Sequence, residues 1–157
     1  MKLRLLFPLL FGFVMFTQQG TAQTKKKLQT QLVKYDKNVD APLTAKELAM
    51  LKEVYQDKLQ KYVLSNKQRV KDFKHLLRNR IVITEIPNMT DDSKYTLLSK
   101  VKLFNNYNPN LTRDETFNSS TFNPLKYNLG FFTSGSSIFK IDNTNYYIII
   151  KPQTIKK

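Results

Sequence analysis

The sequence predicts an α+β fold, on three observations. An apolar stripe of helical period runs from Thr44 to about Arg80 without a proline. Beyond Arg80 the chain turns to β-branched and aromatic runs, Ile81-Val82-Ile83-Thr84-Glu85-Ile86 and Tyr146-Tyr147-Ile148-Ile149-Ile150. No helical pattern recurs between those runs, as a doubly wound fold would require. The expected architecture is therefore a set of N-terminal helices, with one long helix over 44–80 laid on an antiparallel sheet of about five strands that ends in a C-terminal β-meander.

Residues 1–22 read as a secretory signal peptide. Lys2 and Arg4 give a positive start, Leu5 to Phe16 an apolar run, and Gly20-Thr21-Ala22 a small-residue cleavage site. That run is too short to cross a hydrocarbon core of ~30 Å, so no membrane span is expected after cleavage. The chain has no cysteine, which excludes disulfides and a lipid-attachment thiol. Residues 23–157 have the size of a single domain able to bury its own core. The leader takes Lys2 and Arg4 with it, so the formal charge of +14 falls to +12. Such an excess fits either an anionic partner (nucleic acid, phosphorylated head groups, acidic polysaccharide) or a merely solvated lysine-rich surface.

Residues 24–43 divide into a short amphipathic helix, with Leu28, Leu32 and Tyr35 on one face, and an acidic loop. The long helix then opens on a capping box, Thr44 with Glu47, and a hydrophobic staple between Leu43 and Leu48. Its stripe is Leu48, Leu51, Tyr55, Leu59, Tyr62, Val70, Phe73 and Leu77, and Arg78, Asn79 and Arg80 suit its C-terminus. A straight helix of that extent would be about 50 Å long, too long for a small domain, so a bend or restart is expected near Ser65 and Asn66, where Ser65 and Gln68 form a second capping-box pattern. Because the stripe keeps its phase through Asn66, one bent helix is preferred to a hairpin.

In the region 81–151, Ile81 to Ile86 is the first strand, Asn88 to Asp92 a turn and Tyr95 to Phe104 a second, half-exposed strand. The polar loop 105–126 is long enough to be either functional or mobile, with Tyr107, Phe117 and Phe122 pinning it to the core. Tyr127 to Thr133, Ser137 to Ile141 and Asn145 to Lys151 form the meander, with Tyr146 to Ile150 at the centre of the sheet.

Two stretches carry chemistry. Asp36, Asn38, Asp40, Thr44 and Glu47 occupy positions one, three, five, nine and twelve of a twelve-residue run, with Leu43 at position eight and Ala41 at position six. This run resembles the calcium loop of the EF-hand family, over about residues 28–55. The resemblance implies a weak calcium site in which the alternating oxygens face inward and Glu47 closes the shell in bidentate fashion. A plain capped helix accounts equally for Thr44 and Glu47, but has no use for Asp36, Asn38 and Asp40. The second stretch is the basic face Lys67, Arg69, Lys71, Lys74, Arg78 and Arg80, against the single acid Asp72, a candidate anion-binding surface. His75, the one histidine, is expected on the helix surface.

Neither a nucleophile with its base nor a metal cluster is visible, and Arg113-Asp114-Glu115 reads as a turn before it reads as a catalytic acid pair. The functional expectation is an exported, non-enzymatic cell-envelope binding or interaction protein, periplasmic or extracellular, that meets an anionic envelope polymer or another protein. The alternative is a basic periplasmic holdase or structural oligomer, a homodimer built on the long helix, and a basic hydrolase stands third. The leader, the Lys, Asn and Ile bias and the Thr21-Ala22-Gln23 junction resemble small secreted proteins of Bacteroidota-type bacteria.

Overall fold

Glu47 and Arg78 stand 31 residues apart, which a straight α-helix would stretch to roughly 46 Å, yet their side chains meet at 2.6 Å. The segment 44–80 is therefore folded back on itself, and the single long helix expected from the stripe is replaced by a helical hairpin. In the computed structural model, which describes residues 33–87 and 93–155, α1 spans Ala45–Tyr55 and α2 spans Lys67–His75. The leader, residues 24–32 of the expected short helix, and the turn at 88–92 lie outside the described residues. Residues 33–35 are described and do not continue a helix; Val33 pairs with Ile155 in an antiparallel bridge and Lys34 N–H donates to the Thr154 carbonyl.

The reversal begins at Gln56, whose backbone takes φ 44°, ψ −127°. A left-handed φ at a residue with a Cβ is a sharp departure from helical geometry. A 3₁₀ turn at Gln56–Lys58 and a wide π-type turn at Gln60–Leu64 carry the chain round. The second arm starts one residue later than the Ser65 pattern indicates: Asn66 is the cap, its side chain accepting from the Arg69 N–H at 3.1 Å. The first arm starts as expected, with both bonds of the Thr44/Glu47 capping box present. A second π-type turn, Leu76–Arg80, leads straight into β1.

Among the described residues the sheet has four strands, β1 (Ile81–Glu85), β2 (Thr96–Leu97), β3 (Ser137–Lys140) and β4 (Tyr146–Ile150), in the order β1-β4-β3-β2. β4 is central, antiparallel to β1 (Ile83 opposite Ile148) and to β3 (Phe139 opposite Ile148). β2 runs parallel to β3, so the sheet is mixed rather than antiparallel. The meander lacks its first strand: past Tyr127, which bridges Leu103, the chain reaches Gly130 at φ 67° and makes a turn in which Thr133 N–H bonds the Gly130 carbonyl. The expected Tyr95 to Phe104 strand shrinks to two residues because Leu98 and Val101 turn inward around a 3₁₀ turn at Leu98–Lys100.

The core has a helical part (Leu51, Val54, Val63, Leu76) and a sheet part (Leu129, Ile141, Ile148, Ile150), and Ile81 and Phe131 pack against both. The hairpin shifts the stripe: Val54, Val63 and Leu76 are deeply buried, while Leu48, Tyr62, Val70 and Leu77 are only partly so. The loop 105–126 is tied down rather than mobile. Asn108 donates to the Glu53 carbonyl at 2.8 Å, Asn123 to the Met50 carbonyl at 2.9 Å, and Tyr107 stacks on Tyr55 with ring centroids 4.8 Å apart. Both asparagines are buried, and each replaces water with a helix carbonyl.

If Gln56 is the hinge, Gln56→Gly relieves the left-handed backbone and should raise stability by about 1 kcal/mol in thermal or urea unfolding. A continuous helix there predicts the opposite sign, a loss of about 1 kcal/mol.

Candidate functional site

The hairpin brings the two candidate stretches against each other. Arg78 leaves the π-type turn after α2 and places its guanidinium between α1 and the acidic loop. Nε and Nη2 bond the two Glu47 oxygens at 2.6 and 2.7 Å, Nη2 also reaches the Pro42 carbonyl at 2.7 Å, and Nη1 donates to the Asn38 carbonyl. This is a bidentate arginine–carboxylate pair with both side chains nearly buried, and it holds the Glu47 carboxyl below the usual carboxylate range. Lys74, buried, donates to the Ala41 carbonyl at 2.9 Å, and Lys71 lies 3.7 Å from Asp40. Asn38 and Asn79 exchange amide bonds of 2.6 and 3.0 Å.

A calcium ion does not fit this arrangement. The carboxylate that would close the shell is closed on Arg78 and on the Thr44 N–H, and Asp40 faces Lys71. Among the described residues no three His, Asp or Glu side chains converge as a metal-holding group. The loop is instead folded around Val39, 1% exposed, on a 3₁₀ turn at Lys37–Val39.

The basic face is consumed in the same way. Lys71, Lys74 and Arg78 serve the acidic loop. Arg80 is inside the protein, 3% exposed, donating to the Lys151 carbonyl at 2.9 Å and the Phe131 carbonyl at 2.6 Å, and burial pulls its pKa down. Only Lys67 and Arg69 of the six are exposed.

His75 is buried rather than on the surface. The Asn79 amide donates to Nδ1 at 3.1 Å, which puts the imidazole proton on Nε2, and Nε2 is enclosed with no hydrogen-bond partner among the described residues. The Tyr35 ring meets the imidazole edge-on at 5.2 Å. The Tyr35 hydroxyl bonds Asp72 and accepts from Gln68, and its pKa is pushed up to about 12 by burial and by the Asp72 carboxylate.

Of the pockets among the described residues, one polar and one apolar bear most on ligand binding. The polar one, about 310 Å³, includes Ser99, Arg113, Asp114, Glu115, Tyr127 and Asp142. Its groups largely satisfy one another: Arg113 bonds the Leu98 and Val101 carbonyls, Asp114 receives Lys126 at 2.7 Å and the Tyr127 hydroxyl at 3.2 Å, and Asp142 receives the Ser99 N–H at 2.8 Å and its hydroxyl at 2.5 Å. Burial works against the Lys126 charge, but Asp114 and Glu53 hold its pKa above the usual value.

The other pocket is an apolar groove of about 370 Å³, within the range of small-molecule sites. Val54, Tyr55 and Phe73 form its helical wall, Phe104 and Leu125 contribute further apolar surface, and the segment Asn128 to Thr133 closes the opposite side. The left-handed Gly130 turns that segment, the Arg80 bond to the Phe131 carbonyl anchors it, and Phe132 remains 72% exposed. Sequence reasoning placed a strand here and missed the groove. The available signal was Gly130-Phe131-Phe132, two aromatics after a glycine, in a stretch otherwise suited to a strand. No protein family, curated protein or solved structure matches the chain.

The pH dependence follows from His75. Burial lowers its pKa below the ordinary 6.5, despite the carboxylates of Asp36 and Asp72 nearby and in keeping with the repulsion from Arg80. Below pH 6.5 the unfolded chain therefore binds a proton that the folded chain excludes, so stability falls as the pH drops from 6.5 toward the folded value. Unfolding temperatures at pH 7.5 and 5.5 should show that loss in the wild type and much less of it in His75→Phe; an equal loss in both would place the titration elsewhere.

Proposed function

We propose that this chain is an exported, non-enzymatic binding module of the cell envelope whose binding site is the apolar groove bounded by α1, α2 and the Gly130 turn. The observation that carries the reading is the groove itself. It exposes aromatic surface beside Phe132, at 72% exposure, where burial of that surface would be favourable. The basic face, the first choice from sequence, gives up this role because four of its six cations are spent on the chain's own carbonyls and carboxylates. A non-enzymatic role is supported by the polar pocket, whose charged groups hold the loop 105–126 in place. Export is read from the leader pattern of residues 1–22, which lies outside the described residues. Among the described residues no helix is long and apolar enough to cross a membrane.

A holdase or structural oligomer is the second reading, favoured by the exposure of Phe132 and Ile138. Sedimentation of the protein separates a monomeric binder from an oligomer.

Fluorescence titration with the uncharged dye N-phenyl-1-naphthylamine tests the groove. Phe132→Ser should weaken binding by about fivefold or more while leaving the unfolding temperature in place, since so exposed a ring contributes little to the core. Unchanged dye binding would remove the groove from the account.

A further inference from the structure

The lining of the groove holds neither a carboxylate nor a cation. Arg69 and Phe73 stand four residues apart on α2, so Arg69 lies one turn away on the same face as the ring that lines the groove. It gives one N–H to the Tyr62 carbonyl at 2.9 Å and keeps an exposed guanidinium. The Tyr62 ring lies 4.8 Å from Tyr107, which lies 4.8 Å from Tyr55, so a continuous aromatic cluster joins Arg69 to the groove wall. Burial, with the neighbouring Tyr107, pushes the Tyr55 hydroxyl up to about 12 against the opposing pull of the Arg69 charge, so the phenol is protonated and able to donate at neutral pH.

The acids that could cancel this charge are committed elsewhere. Glu53 faces Lys126 and Asn123, Asp57 faces Lys58, and Asp72 holds Tyr35 and Gln68. With a formal charge of +12 once Lys2 and Arg4 leave with the leader, the field around the groove favours a negative ligand. A purely apolar ligand would leave Arg69 unused, and a purely polar anion would leave Phe104, Leu125 and Phe131 unused.

Resting on the groove as the binding site, we propose that its occupant is a free single-chain amphiphile, an acyl carboxylate, with its tail among Phe73, Phe104, Leu125, Phe131 and Phe132 and its head at Arg69. A second copy of this chain is the less favoured occupant, because two strongly basic protomers would repel.

The test is calorimetric titration of the full chain with decanoate, decanol and decyltrimethylammonium, each below its aggregation concentration, on the wild type, Arg69→Gln and Phe132→Ser. Decanoate should bind about tenfold tighter than decanol and tighter still than the cation. Arg69→Gln should remove that preference and leave decanol binding unchanged, and Phe132→Ser should weaken all three. Equal affinity for decanoate and decyltrimethylammonium, or a preference that survives Arg69→Gln, overturns the head-group assignment while decanol binding upholds the groove. Binding of none of the three overturns both. Binding to anionic vesicles without binding to monomeric decanoate, or a dimer that Phe132→Ser dissociates, assigns the groove to a different occupant and also overturns the proposal.

Discussion

The contact on which the structure most depends is the Arg78 guanidinium seated on Glu47 and the carbonyls of Asn38 and Pro42. It fixes the end of the second helical arm against the start of the first, and in doing so decides that the segment 44–80 is a hairpin. The acidic loop follows from the same contact. Its backbone carbonyls point at the arm 71–79 because a fixed cation and a buried lysine are there to satisfy them. Removing a group so placed would strand a nearly buried carboxylate, a loss well beyond that of an ordinary surface ion pair.

The other buried charges work as struts of the same kind. Arg80 ties the end of the hairpin to the chain leaving β4 and to the Phe131 carbonyl, while Lys126 ties the loop before Tyr127 to Asp114 and Glu53. A chain with a modest core can hold long irregular segments in this way, since each segment is bonded at the backbone rather than only packed. The groove is a consequence: Arg80 and the left-handed Gly130 hold one wall, the folded helix supplies the other, and Phe132 lines it while staying 72% exposed.

Elements with strong local signals were legible in the sequence. The Thr44/Glu47 capping box, the β-branched run at Ile81 and the central strand Tyr146 to Ile150 stand where their residues put them. The hairpin was not legible, because the expected stripe keeps one helical phase through Asn66, and the shift that buries Val54, Val63 and Leu76 in place of Leu48, Tyr62 and Leu77 appears only once the two arms pack on each other. The cue that mattered, a left-handed Gln56, has no marker in a residue type that rarely adopts it. The acidic and basic stretches are visible in the sequence, but local reading cannot tell that Lys71, Lys74 and Arg78 of one meet the loop of the other. Arg78 supplies the positive charge that the EF-hand pattern assigns to calcium. His75 was misplaced for a related reason, since Tyr35, 40 residues earlier in the chain, packs over it and Asn79, one turn on, bonds its Nδ1.

The most direct test of this account is a double-mutant cycle in urea unfolding with Glu47→Gln and Arg78→Gln, glutamine being able to keep the capping box at position 47. The hairpin predicts that each single change costs about 1–3 kcal/mol and that the pair is coupled by at least about 1 kcal/mol, the second change costing far less once the first is made. Losses that simply add, within about 0.3–0.5 kcal/mol, would mean that the two side chains do not touch and that the helix is not folded back.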